Sequence, residues 1–207
     1  PRYYNAAVLV DPGGATAGVY HKQHLVPFGE YVPMRDLLSF VSPLVENVGG
    51  FSAGDAPVTL IMGDQTIGVA VCYEIIYPGL VRGFVTGGSR LLTTVTNDAW
   101  YGRTAAPYQH FQQATMRAIE QGRFLVRAAN TGISGVIDPY GRVIAQTALF
   151  QDDVLTTNVR LIDNLTLYTR YGDLLAFGCA IMTLALLMVV GVTHGTRPGW
   201  RRVTDSM

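Results

Sequence analysis

Residues 66–75, Thr66-Ile67-Gly68-Val69-Ala70-Val71-Cys72-Tyr73-Glu74-Ile75, run from an apolar segment into a cysteine flanked by a tyrosine and a glutamate. A short apolar run bounded by turn signals reads as a buried strand, and this one delivers Cys72 into a polar corner. Before it, Thr59–Met62 lies across Gly63-Asp64, which predicts a hairpin. After it, Tyr77–Thr86 reads as a helix ended by Gly87-Gly88, and Leu91–Thr96 as a second buried strand ahead of Asn97-Asp98. Pro107–Gly122 is the clearest helix: Phe111, Ala114, Thr115, Ala118 and Ile119 recur at helical spacing, and Pro107 suits a first turn. Phe124–Ala128 reads as a strand, and Gly135–Ile137 pairs with Arg142–Ala145 across Asp138-Pro139-Tyr140-Gly141. Upstream, Ala6–Val10 is a strand closed by the turn Asp11-Pro12-Gly13-Gly14. Strands alternating with helices make an α/β domain. The region Arg35–Pro57 breaks the rhythm: it is long, carries Leu37, Leu38, Phe40, Val41, Leu44 and Val45, and ends in a Gly-rich stretch. It reads either as an insertion packed on the domain or as an apolar arm at the mouth of a site, since long loops in compact domains are usually functional or disordered.

Composition narrows the function class. The 15 basic and 15 acidic residues balance, which gives no footing for nucleic acid or another polyanion. Charged residues are only 14% of the 207, well under the usual quarter of a soluble domain, and mean hydropathy is positive. The reason is local. Leu174–Val192 carries no charge, and Thr183 is its most polar side chain. About 20 apolar residues span the hydrocarbon core of a bilayer, whereas buried core helices run shorter. Tyr168 and Tyr171 precede the run and Trp200 follows it, as interfacial aromatics do. His194, Arg197, Arg201 and Arg202 lie beyond it, so the positive-inside rule expects a cytoplasmic tail and a domain on the opposite face. The expected divisions are a catalytic domain over residues 1–165, an interfacial linker over 166–173, a transmembrane helix over 174–192 and a basic tail over 193–207. The first residue is Pro1, with no signal-like segment behind it, which reads as a piece of something longer.

Cys72 and Cys179 are the only cysteines, and Cys179 lies in the apolar run, so no disulfide framework is expected. Neither a CxxC pair nor a Cys/His cluster points to a metal, and no phosphate loop or GxSxG elbow points to a cofactor or a serine nucleophile. A lone cysteine at a strand end is usually a small buried hydrophobe; the neighbours of Cys72 change that reading. Thiolate is the nucleophile in cysteine chemistry, and a cation beside it favours that form. Lys22, in Tyr20-His21-Lys22-Gln23-His24, is the candidate cation and a donor to a developing oxyanion. The Tyr73 N–H, just after the nucleophile, is the natural second donor. Glu30 is placed to pair with Lys22 and hold its ammonium. Asn97 and Trp100 follow a strand, where α/β sites gather their loops, and are candidates for lining a pocket as well as for a capped turn. His24 and His110 read as structural, and Asn130-Thr131-Gly132 as a turn at a strand end.

Three motifs, YHKQHLVPFGEYVP at 20–33, GVAVCYEIIYP at 68–78 and TNDAWYG at 96–102, together resemble the carbon–nitrogen hydrolase, or nitrilase, superfamily. More narrowly they resemble its membrane branch, the bacterial apolipoprotein N-acyltransferases. The resemblance runs from Tyr4 through the apolar segment. It implies an αββα sandwich, N-terminally truncated here, followed by one transmembrane helix. It also implies a Glu-Lys-Cys triad, with Lys22 and Cys72 as the lysine and the nucleophile and supporting roles for Glu30, Tyr73 and Glu74. No cofactor is implied. The partners implied are a phospholipid acyl donor, a diacylglyceryl-modified apolipoprotein acceptor and the lipid bilayer, at the bacterial inner membrane with the catalytic domain on its periplasmic face. This chain has no glutamate before Glu30, and Asp11 sits in a turn too close to Lys22 to replace one; the triad glutamate is therefore expected upstream of Pro1. Two other readings stay open. One is a membrane-tethered amidase or nitrilase acting on a small amide, and the other is a non-catalytic lipoprotein-binding module.

Overall fold

The computed structural model describes residues 2–33 and 50–195. The chain divides into two compact units, Pro1–Arg170 and Tyr171–Met207. The first opens with strands β1 (Ala6–Val10) and β2 (Thr16–His21), an antiparallel pair in which Ala7 faces Tyr20. The Asp11 carboxylate accepts the Ala15 N–H at 2.8 Å and closes the turn between them. Then follow β3 (Leu60–Met62), β4 (Gln65–Val71), a 3₁₀ turn over Cys72–Ile76, α1 (Pro78–Thr86), β5 (Leu91–Asn97), α2 (Ala106–Gln121), β6 (Leu125–Asn130), β7 (Gly135–Ile137) and β8 (Val143–Gln146).

Strands β3 to β8 form one six-stranded sheet in chain order. Its centre, β4-β5-β6, is parallel; the flanking pairs are antiparallel. The reason is connection length. A parallel neighbour needs a crossover of about a dozen residues, and α1 and α2 supply those crossovers, whereas the two-residue turn Gly63-Asp64 can join only an antiparallel pair. Strand β4 is buried along its last five residues, as a central strand of such a sheet should be. Gly68 allows α1 to lie close on it: a Cβ there would meet Phe84 Cβ at 2.7 Å and Ser89 Oγ at 2.9 Å. Phe84, Val81, Ile75, Ala114, Ala118, Leu125 and Ile137 fill the core around these elements and are fully buried.

Most expected elements are present, with ends moved by one or two residues. The hairpin, both helices and the strands over 91–97, 125–130, 135–137 and 143–146 all stand. Strand β2 is an addition to the expected elements. Of the αββα arrangement, the described residues supply helices α1 and α2, the six-stranded sheet and the two-stranded sheet. Most of Arg35–Pro57 lies outside the described residues. The compact unit runs past residue 165. Residues 166–170, expected as linker, are held in it by the short helix α3 (Leu167–Tyr171), whose Thr169 is buried and donates its hydroxyl to Gln121 Oε1 at 2.9 Å. The Arg82 guanidinium adds hydrogen bonds to the carbonyls of Thr169 and Arg170.

The second unit contains α4 (Leu174–Gly195), three residues longer than expected at its end. Its Leu174–Gly191 window has a mean hydropathy of 2.5, and the helix is long and apolar enough to cross a membrane. Thr183 gives its hydroxyl proton to the Cys179 carbonyl one turn back at 2.8 Å, so its polar group is satisfied within the helix.

Candidate active site

Parallel strands end together, and their carboxyl ends are where α/β sheets hold ligands. Val71 pairs with Val95, and Asn97 with Asn130. Cys72, Asn97-Asp98 and Asn130-Thr131 therefore leave the sheet along one edge. Cys72 stands at a sharp corner, with φ of +56° between β4 and the 3₁₀ turn. A non-glycine residue in the left-handed region costs on the order of 1 kcal/mol and persists only where its surroundings enforce it.

One surrounding group is Glu74. Its carboxylate is fully buried and accepts four hydrogen bonds. Oε2 takes the Val71 N–H at 2.8 Å, which fixes the backbone just before Cys72. Oε1 takes the Tyr20 hydroxyl at 2.9 Å and the backbone N–H groups of Gln23 and His24 at 2.7 and 3.1 Å. One side chain thus clasps the segment carrying Lys22 to the segment carrying Cys72. Burial, together with the Glu74 charge, pushes the Tyr20 phenol well above its usual range, so it serves as a hydrogen-bond donor.

Lys22 follows β2 and is 1% exposed. Its ammonium lies between both Glu30 oxygens, at 2.9 and 2.8 Å. Glu30 is held in turn by Asn5 Nδ2 at 2.7 Å and the Val26 N–H at 2.8 Å. Burial alone would raise the Glu30 carboxyl; the hydrogen bonds from Lys22, Val26 and Asn5, with the Lys22 charge, outweigh it and hold the group below the usual glutamate range. Residues 51–54 brace the same loop through Phe51 N–H to Glu30 O and Gly54 N–H to Lys22 O. Gly54 is required at that contact, since a Cβ would collide with the His21 carbonyl. The structure therefore brings Lys22, Glu30, Glu74 and Cys72 into one hydrogen-bonded region.

Two expected residues stand apart from it. The Asn97 side chain accepts the Ala99 N–H at 3.1 Å, the capped-turn alternative, and Trp100 is 89% exposed. Tyr73 is half-buried, its ring edge-on to Tyr77. With Tyr101, His110 and Gln113 it lines a cavity of about 360 Å³. The His24 ring packs tilted against Tyr77, with ring centres 3.6 Å apart.

Residues 1–163 match the family model described as Carbon-nitrogen hydrolase. The chain belongs to the carbon–nitrogen hydrolase family. Curated relatives named apolipoprotein N-acyltransferase include one from Geobacter metallireducens, 50% identical over 178 residues, and one from Pseudomonas aeruginosa, 42% identical over 173. These alignments cover 86% and 82% of this chain but 34% and 33% of the relatives, so the chain spans about a third of their length. A carbon–nitrogen hydrolase from Helicobacter pylori G27 shares the fold with a TM-score of 0.55 at 20% identity, over 73% of this chain and 55% of its own. A branch 10 nitrilase-superfamily protein from Saccharomyces cerevisiae gives 0.54 at 17%, over 72% and 51%.

Other residues that build this candidate site carry little or no local signal in the sequence. Tyr20 and Asn5 hold Glu74 and Glu30, and nothing in their local pattern marks them, because their partners are 54 and 25 residues away. Asp98 and Arg127 form a buried ion pair at 2.7 Å, and His110 joins it with Nδ1 3.0 Å from Asp98 Oδ1. Arg127 did carry a signal. A charged residue inside the apolar run Leu125–Asn130 has to be paired or it would not be tolerated.

Proposed function

We propose that the chain is the catalytic part of an enzyme that moves a fatty acyl group from a phospholipid, through a thioester on Cys72, to the N-terminal amine of a diacylglyceryl-cysteine on an apolipoprotein. The observation that carries the reading is the buried Glu74 carboxylate, which binds the amide before Cys72 and the amide after Lys22 at once. It supports a nucleophile and a cation working on one acyl group. The names of the relatives supply the acyl acceptor, and an apolar helix suited to a bilayer fits a lipid donor.

In this reading the Cys72 thiol gives its proton to a base, and the thiolate attacks the ester carbonyl of the phospholipid. The Lys22 ammonium and the Tyr73 N–H stabilise the tetrahedral oxyanion. The C–O bond breaks, the alkoxide takes the proton, and lysophospholipid leaves. The apolipoprotein amine then attacks the thioester, the C–S bond breaks, and the amine's proton passes by way of the base to restore the thiol. Glu30 and Glu74 are already committed to Lys22 and to four N–H and O–H donors. Neither is free to act as the base; the resemblance to the carbon–nitrogen hydrolases implies a glutamate in that role, which we propose lies in the part of the relatives' length that this chain does not span.

Incubating the intact membrane protein with phospholipid should add one fatty-acyl mass to the Cys72 peptide, labile to hydroxylamine, and Cys72→Ser should abolish both adduct and transfer. Full activity in Cys72→Ala would overturn the mechanism. Release of free fatty acid in place of acylated lipoprotein would favour a hydrolase on the same fold.

A further inference from the structure

His110 sits on α2, and the mechanism above makes no use of it. Its position is nonetheless tied to the reacting centre. Nε2 lies 3.3 Å from the Cys72 carbonyl oxygen. Nδ1 lies 3.0 Å from Asp98 Oδ1 and 3.1 Å from Arg127 Nη2. The ring is 4% exposed, and Asp98 and Arg127 are buried with it. Asp98 is further held by the Thr96 hydroxyl at 3.0 Å. A carbonyl oxygen can only accept, so the contact with Cys72 O is a hydrogen bond when Nε2 carries the hydrogen, while Nδ1 is held between the Asp98 carboxylate and the Arg127 guanidinium.

That carbonyl belongs to the peptide joining Cys72 to Tyr73. A trans peptide is planar, so its C=O and N–H point in opposite directions, and the described residues contain no cis peptide. A group that captures the Cys72 oxygen on one side therefore aims the Tyr73 N–H to the other. That N–H opens the 3₁₀ turn over Cys72–Ile76, where the first amides have no acceptor within the helix. We infer that His110, steadied by Asp98 and Arg127, is a positioning residue that orients the Tyr73 N–H as an oxyanion donor by holding the Cys72 carbonyl. The inference rests on the acyl-cysteine reading but does not depend on which acyl donor is natural.

Two substitutions separate orientation from packing. Gln places its amide nitrogen as many bonds from Cα as His Nε2, whereas Asn reaches only as far as Nδ1. The rate of Cys72 acylation by p-nitrophenyl butyrate is measured in the intact protein, alongside Cys72 alkylation by iodoacetamide, which needs no oxyanion donor. His110→Asn should slow acylation by about 10²–10³, the usual effect of losing an oxyanion-hole donor. Its alkylation should stay within about twofold, since alkylation follows the thiolate alone. His110→Gln should restore acylation to within about tenfold of the parent. If the Asn protein does not fold, His110→Met, of matching length and without a donor, takes its place. Unchanged acylation in the Asn or Met protein, a parallel loss of alkylation, or failure of Gln to rescue would each overturn the assignment. A parent protein acylated by the aryl ester but not by phospholipid would sink the lipid reading and leave the assignment standing; no acylation by either would end both.

Discussion

The Lys22–Glu30 pair illustrates how a buried charge is made tolerable. An isolated ammonium at 1% exposure would be costly, and the bidentate carboxylate at 2.8–2.9 Å offsets that cost while fixing where the charge points. If Lys22 serves an oxyanion, Lys22→Ala should slow acyl transfer by about 10² or more. Glu30→Ala should act only through Lys22, so the double variant should be little slower than the slower single one; additive losses in steady-state rates would separate the two residues. The pair also sets a pH dependence. The folded Glu30 carboxyl is depressed, so its stabilisation is complete above the unfolded value of about 4.3 and is lost as pH falls through the lower folded value. The difference in thermal midpoint between parent and Glu30→Gln should therefore be constant from neutrality to about pH 5 and shrink below about pH 4. A difference that persists in strong acid would show that charge does not hold this loop. The sequence made Cys72, Lys22 and Glu30 legible because each sits in a short motif. Their fasteners were not legible, because Tyr20 and Asn5 reach partners remote in sequence.

Among elements, β4 decides the architecture and was readable from its composition alone. An apolar five-residue run, Ile67–Val71, needs cover on both faces, which requires helices on one side and so parallel neighbours. Strand β2 escaped the reading because Gly18 interrupts its apolar pattern; only the register with β1 gives Tyr20 its buried place. His110 read as structural from its helix flank, and only the structure shows that it faces Cys72. Gly68 looked like an ordinary weak point of a strand, yet α1 lies where its side chain would be. Gly68→Val should force Phe84 and Ser89 away and cost about 1–3 kcal/mol, the usual range for overpacking. It should also displace the 3₁₀ turn that follows β4, so the thermal midpoint and the Cys72 alkylation rate should change together. A variant as stable as the parent would show that α1 can shift freely on the sheet.

For the whole chain, the charge pattern across the apolar helix sets an expectation for which face of a membrane residues 1–170 would meet. Leu174–Gly191 contains no charged residue, and the next four ionisable side chains, His194, Arg197, Arg201 and Arg202, are all basic or potentially so. On the near side Arg170 is offset by Asp173. Lys and Arg within about 15–20 residues of a span are retained on the cytoplasmic side, while acidic residues contribute little. The tail thus carries three arginines against two on the domain side, Arg160 and Arg170, and the positive-inside expectation is a cytoplasmic tail with residues 1–170 on the opposite face. A lipoprotein amine exposed outside the cytoplasm would be within reach of Cys72 only in that orientation. Cysteines introduced singly at Asp152 and at Ser206, in a Cys179→Ala background, should therefore differ towards an impermeant maleimide added to intact cells lacking an outer barrier. Asp152→Cys should be labelled at once, and Ser206→Cys only after the membrane is opened. Cys72, half-buried at its corner, should contribute a slow background that Cys72→Ala removes. The reverse pattern would place the catalytic unit in the cytoplasm and leave the proposed acceptor on the wrong side of the bilayer.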